Sequence, residues 1–189
     1  MDFQNADQAL ERMKQGNERF RTGRAEGVVI DGPRHEELKQ GQQPFAILLS
    51  CSDSRVPPEI LFDTGLGDLF VVRVAGNVAN MSSIASIEYA VLHLGSKLIV
   101  VMAHDSCGAV GAAIAGGDAG KHLNRLLGHI QPALDPPDKD DNVIARRNAR
   151  VSAEQMINES DILRSAVEND GVKVVTAFFH FSNGEVEFD

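Results

Sequence analysis

Cysteine is scarce in this chain: only two occur in 189 residues, Cys51 and Cys107. That excludes a disulfide-framed scaffold, and both thiols are expected to be reduced rather than paired. Basic residues are outnumbered, with 18 Lys and Arg against 27 Asp and Glu and a formal net charge of −9. An acidic surface argues against nucleic acid and against anionic membranes as partners. No stretch approaches the roughly 20 apolar residues that a membrane span requires. Internal repeats, low-complexity segments and linkers are lacking too, so residues 1–189 are expected to form one domain, with a helical N-terminal arm over about 1–42. The start, Met1-Asp2-Phe3-Gln4-Asn5, has neither a basic segment nor an apolar run of the secretory type. The expectation is a cytoplasmic protein. Its hydrophobic content of 43% and charged content of 24% are ordinary for a globular chain of this length.

What is present alternates between two periodicities. Residues 5–22 place Leu10, Met13 and Phe20 on one narrow apolar stripe of a helix, which must lie across the body of the protein or across a partner subunit. A short polar helix starts at Pro33, where proline is preorganised for a first turn. The runs at 45–50, 69–74, 97–102 and 172–179 read as strands. A short helix beginning at Pro57-Pro58 follows the first. The next helix is capped by Asn80 or Ser82. It has Ile84, Ile87, Val91 and Leu94 on one face and Ala85, Tyr89 and Leu92 on another, so it is expected to be buried, with His93 as a core residue. A helix rich in small residues opens at Cys107, and residues 121–133 and 141–169 read as helices joined by the turn Leu134-Asp135-Pro136-Pro137. Ser182-Asn183-Gly184 is a hairpin turn into 185–188. The alternation predicts an α/β fold: a mainly parallel central sheet flanked by helices, an antiparallel hairpin at its C-terminal edge, and an N-terminal helical arm.

The chemistry concentrates where two of these strands end. Cys51 follows the run Phe45 to Leu49, and His104-Asp105-Ser106-Cys107 follows Leu98 to Met102. Open α/β sheets place their ligands at the carboxyl ends of strands. A lone cysteine in such a place reads as a small buried hydrophobe. Two thiols and an imidazole at the ends of neighbouring strands read instead as a zinc-binding set. No fourth cysteine or histidine accompanies them, which leaves the fourth position to water or to Asp53, the pattern of a catalytic rather than a structural site. Asp53 and Arg55 could be a surface ion pair of little worth. Beside a metal ligand, Arg55 can instead hold Asp53 so that it orients a bound water.

These stretches resemble the β-class carbonic anhydrases. Cys51-Ser52-Asp53-Ser54-Arg55-Val56 is similar to that family's first metal motif, and His104-Asp105-Ser106-Cys107-Gly108-Ala109-Val110 to its second. Arg73-Val74-Ala75-Gly76-Asn77, Ser86-Ile87-Glu88-Tyr89-Ala90-Val91 and Asn183-Gly184-Glu185-Val186 match the pattern as well. The resemblance implies one Zn2+ per chain on Cys51, His104 and Cys107, with Asp53 as a fourth ligand only in a closed form. It implies a catalytic dyad of Asp53 and Arg55, and a substrate pocket formed by Gln42, Phe70, Ala75, Tyr89 and Gly108. Gln42 is expected to reach the pocket of a neighbouring subunit in a homodimer or homotetramer. The activity implied is the reversible hydration of carbon dioxide to bicarbonate. Alternatives are hydrolysis of carbon disulfide or carbonyl sulfide on the same scaffold, or a non-enzymatic zinc-binding regulatory protein. The bicarbonate-regulated bacterial branch carries a tryptophan three residues before the first cysteine. Leu48 stands there and the chain has no tryptophan, so the resemblance is to the plant-type branch. Ala103 and the strand Thr176-Ala177-Phe178-Phe179-His180 depart from the usual family pattern.

Overall fold

The computed structural model describes residues 5–27 and 32–189. Met1–Gln4, on which the expectation about a leader partly rests, lie outside the described residues. The described chain runs α1 (Ala6–Arg21), α2 (Gly32–Leu38), β1 (Ala46–Ser50), α3 (Pro58–Leu61), β2 (Leu69–Arg73), α4 (Met81–Leu94), β3 (Leu98–His104), α5 (Gly108–Ala115), α6 (Lys121–Gly128), α7 (Asp141–Glu159), α8 (Asp161–Asn169), β4 (Lys173–Phe179) and β5 (Val186–Phe188). Short 3-10 turns lie at Ala75–Asn77 and Gln131–Leu134.

Five strands form one sheet in the order β2-β1-β3-β4-β5. The first four are parallel and β5 returns antiparallel to β4, as the turn at 182–184 predicts. The central strands β1 and β3 are buried at every position. This is why they read as unbroken apolar runs: helices cover both faces of such a sheet. The C-terminal ends of β1 and β3 lie side by side, with Ser50 opposite Met102. The segments after them therefore meet at the C-terminal end of the sheet.

The N-terminal helix begins at Asn5, whose side chain accepts from the Gln8 N–H at 2.9 Å. It packs on β1, β3 and α3, and Met13 is fully buried by the chain itself. Gly16 allows the close approach, since a Cβ there would stand 1.9 Å from the Phe62 carbonyl oxygen. Asn17, buried, donates to the carbonyls of Leu61 and Gly184 and accepts from the Val186 N–H, tying the helix to the C-terminal hairpin. The stripe thus lies on the body of the protein and needs no partner subunit to cover it.

Arg19 completes this anchor by pairing with Asp63 at 2.5 Å, where the Gly27 N–H also donates to the carboxylate. Burial acts to raise the Asp63 pKa, but the hydrogen bonds from Arg19 and Gly27 outweigh it and hold the carboxyl below its usual value. A depressed carboxylate stabilises the fold above its unfolded pKa of about 4, and this contribution is lost as pH falls through the folded pKa. Arg19→Ala is therefore expected to cost about 1–2 kcal/mol at pH 7, the lower end for a charged hydrogen bond because Arg19 is half-exposed. Urea melts at pH 7 and below pH 4 should show the deficit shrinking on the acid side.

Three expectations need correction. First, α4 is buried on one face only. It has the expected cap, with Asn80 accepting from Ser82 and Ser83 N–H groups, and ends at Gly95 in the left-handed region. Ile84, Ile87 and Val91 are buried, but Met81, Tyr89 and Leu92 are 82%, 48% and 58% exposed. His93 is exposed as well, its ring 5.0 Å from that of Tyr89. The helix lies over β1 and β2, and β2 is the sheet's edge, so among the described residues none covers the outer face. Second, residues 141–169 form two helices. Ser160 adopts an extended backbone, ends α7, caps α8 by accepting from the Leu163 N–H, and donates its hydroxyl to Glu88 at 2.6 Å. Third, the helix expected over 121–133 ends at Gly128, and Pro132 sits in a separate 3-10 turn.

A candidate metal centre at the strand ends

Cys51 is the first residue after β1, His104 the last of β3, and Cys107 the residue that starts α5. Between the last two, Ser106 takes a left-handed conformation (φ 51°), and its N–H donates to Asn142 of α7 at 3.0 Å. This tight turn swings Cys107 back beneath His104. The three ligand atoms lie within 4.8 Å of one another, and all three residues are buried. The His104 Nδ1 faces the Asp105 carbonyl at 2.8 Å, which makes Nδ1 the donor and leaves Nε2 with its lone pair free. That Nε2 is buried and has no hydrogen-bond partner.

The thiols share a buried site and influence each other. The Cys107 thiol is the main cause that pulls Cys51 toward thiolate, helped by His104 and by the Gly76 N–H. Cys107 is pushed the other way, because a second thiolate would face the first in a desolvated site. A divalent ion between them would remove that conflict. Two sulfurs, one imidazole nitrogen and an orphaned Nε2 fit zinc, with one coordination position left over.

Asp53 stands beside this position, its Oδ2 4.0 Å from His104 Nε2. Arg55 grips the carboxylate as a fork: Nε donates to Oδ1 at 2.9 Å, the terminal nitrogen to Oδ2 at 2.7 Å, and the Arg55 backbone N–H to Oδ1 at 3.0 Å. The Arg55 hydrogen bonds hold the Asp53 carboxyl well below the usual carboxylate range. Asp53 is thus paired with Arg55, the open arrangement.

Several residues to which sequence reasoning gave no role support the centre. Arg73, at the end of β2, donates to the carbonyls of Cys51 (2.9 Å) and Asp53 (2.5 Å), so it fixes the loop between them. The Gly76 N–H donates to Cys51 Sγ at 3.3 Å. Glycine is required there: its φ is 69°, and a Cβ would stand 2.8 Å from Ile130 Cδ1 and 3.2 Å from Ala109 Cβ. Asn148, fully buried in α7, donates to the Gly76 carbonyl at 2.7 Å. Asp105 accepts from the Phe181 N–H at 2.8 Å, and the Phe181 ring lies against both Arg55 and His104. Arg73 and Gly76 fall within a stretch that the family resemblance quoted. Asn148 and Phe181 carried no local signal for the site, since Gly76 and Asp105, to which they donate, are 72 and 76 residues away.

The substrate-pocket candidates divide into three groups. Ala75 immediately precedes Gly76, and Gly108 immediately follows Cys107, so both adjoin the centre. Phe70 and Tyr89 pair with ring centroids 6.3 Å apart along the flank formed by β2 and α4. Gln42 lies before β1, at the opposite end of the sheet, where with Arg12, Arg34 and Asp68 it lines a cavity of about 540 Å³. The five residues of β1 alone span about 17 Å, so Gln42 does not reach the centre of its own chain.

Comparison with known proteins gives a consistent result. The family model described as carbonic anhydrase matches residues 46–186. Carbonic anhydrase 2 of Mycobacterium tuberculosis is 49% identical over 130 residues, covering 67% of this chain. The match spans 63% of that relative's length. A carbonic anhydrase of Mycolicibacterium smegmatis is 36% identical over 200 residues, covering 99% of this chain and 95% of the relative. Among solved structures, one of two tetrameric β-carbonic anhydrases from Sordaria macrospora superposes with a TM-score of 0.75 at 28% identity, over 83% of this chain and 86% of the other. The β-carbonic anhydrase CafA of Aspergillus fumigatus gives 0.71 at 26% identity, over 83% and 82%. Among the described residues, no helix is long and apolar enough to cross a membrane.

Proposed function

The chain belongs to the β-class carbonic anhydrase family, and from that premise we propose that it catalyses the reversible hydration of carbon dioxide, with one zinc ion held by Cys51, His104 and Cys107. The observation that carries this reading is the buried convergence of these three side chains beside a carboxylate already clamped by arginine.

Bound zinc supplies Lewis-acid activation of water, bringing its ionisation into the neutral range. The rest falls to the chain. Asp53, a carboxylate at neutral pH whose pKa Arg55 lowers further, can only accept a hydrogen bond, so it would orient the nucleophilic water with a lone pair toward the substrate. The water oxygen bonds to the carbon of carbon dioxide, one carbon–oxygen π pair moves onto oxygen, and bicarbonate forms. The proton lost from the water passes to solvent. By pairing with Asp53, Arg55 would keep its carboxylate from taking a coordination position on the bound ion. Arg73 and the Gly76 N–H hold Cys51 and its loop in place throughout.

Carbon dioxide is apolar and wants an apolar wall: Ala75 adjoins the centre of its own chain, and Phe70 and Tyr89, on the flank of β2 and α4, would line such a wall together with a partner subunit. Gln42, remote from its own centre, acts in a partner's pocket. The exposed face of α4, Met81, Tyr89 and Leu92 beside edge strand β2, supports a homodimer or homotetramer. Leu92→Glu places a charge in that face, and sedimentation of the variant at micromolar concentration is expected to show a smaller species than the wild type. Equal masses would remove this face from the interface.

Initial rates with carbon dioxide, carbon disulfide and carbonyl sulfide on protein of measured zinc content test the activity. Turnover is expected with carbon dioxide. Turnover confined to the sulfur compounds, or absent in zinc-replete protein, would reject the reading.

A further inference from the structure

We propose that Phe181 is a positioning residue of the centre: its ring seats the Arg55 guanidinium so that Arg55 can clamp Asp53. Arg55 lies in the loop after β1, and its side chain is 54% exposed. An exposed ion pair between residues two apart in a loop does little to fix either side chain. The Arg55 guanidinium carbon lies 4.3 Å from the centroid of the Phe181 ring, within cation–π range. The guanidinium thus lies over the Phe181 ring while its Nε and terminal nitrogen grip Asp53.

Phe181 is in turn held firmly. It lies in the turn after β4, and its N–H donates to Asp105, the residue next to His104. Its ring meets the rings of His104 and Phe179 edge-on, with centroids 5.6 and 5.3 Å away. The same ring therefore touches the imidazole from the end of β3 and the arginine from the loop after β1. It sets the position of the clamp relative to the metal ligands. An aliphatic side chain could fill this space but would offer no π face to the cation.

The activity arm of the test rests on the proposed hydration of carbon dioxide; the spectroscopic arm does not. Phe181→Leu, Phe181→Met and Phe181→Tyr are compared in the wild-type and Arg55→Ala backgrounds. In labelled zinc-loaded protein, the Arg55 Nε–H signal is expected to lose its ring-current shift in the leucine and methionine variants and to keep it in the tyrosine variant. Zinc stays at one per chain. The rate constant kcat/KM falls about two- to fivefold with leucine or methionine, the range of an exposed cation–π contact. Tyrosine restores it, and in the Arg55→Ala background leucine costs nothing more. Unchanged Arg55 signals in both aliphatic variants would overturn the proposal. So would loss of zinc, or an equal loss of rate in the Arg55→Ala background, because the ring would then act through His104 alone. If zinc-replete wild-type protein does not hydrate carbon dioxide, the functional reading fails, and the Arg55 signals decide the role of Phe181 by themselves.

Discussion

Cys107→Ser is expected to abolish zinc retention and hydration together. A serine hydroxyl does not ionise near neutral pH, so the variant offers one thiolate where two are needed. Loss of an outer partner alone costs tenfold to hundredfold in metal affinity, so loss of a ligand should cost more than about a hundredfold. Gel-filtered protein analysed for zinc, and then assayed by stopped flow, checks both at once. The metal-free pair also sets a direction with pH. Cys107 is pushed up by the thiolate beside it and carries its proton at neutral pH, so metal uptake must expel that proton. Zinc affinity is therefore expected to rise with pH. Full zinc occupancy in Cys107→Ser would remove Cys107 from the ligand set.

The second large effect is at the clamp. Arg55→Ala frees Asp53 both to ionise less readily and to move toward the metal, and a fall in kcat of about a hundredfold is expected, the lower end for a positioned proton-accepting group. Arg55→Lys should be intermediate, because an ammonium cannot bind a carboxylate as a fork. The sign with pH follows from the cause of the shift. Arg55 is what depresses the Asp53 pKa, so its removal lets that pKa climb back toward about 4. A carboxylate freed from Arg55 also competes better with neutral water than with hydroxide for the fourth position. A group titrating near 4 is still ionised at neutral pH, so it is this competition that moves the acid limb of the rate profile to higher pH in the variants. A profile that keeps its shape and falls uniformly would mean that Arg55 acts on substrate rather than on Asp53.

The features legible in the sequence were the local ones. β1 and β3 announced themselves as apolar runs because both faces of a central parallel strand are covered. Cys51, His104 and Cys107 could be grouped because strand ends in such a sheet converge, and Asp53 and Arg55 because they are two residues apart. Periodicity failed on α4. It reported an apolar face at Tyr89 and Leu92 but not what covers it, and among the described residues nothing does. It failed also at Ser160, where a hydrogen bond to Glu88, 72 residues away, fixes a break that no proline or glycine marks. Arg73, Asn148 and Phe181 acquire their roles only when distant segments are brought together, so composition and spacing carry no trace of them. Gln42 is expected in a partner's pocket from resemblance alone, and its place before β1, at the far end of that strand, sets it apart from the centre of its own chain.

The most direct measurement is a zinc titration of metal-free protein in which carbon dioxide hydration is followed by stopped flow at each addition. The rate is expected to rise linearly and to break at one zinc per chain, with Cys51→Ser and Cys107→Ser giving no rise. A zinc-replete wild-type protein that shows no hydration, or a rate that does not depend on zinc, would contradict the proposed function.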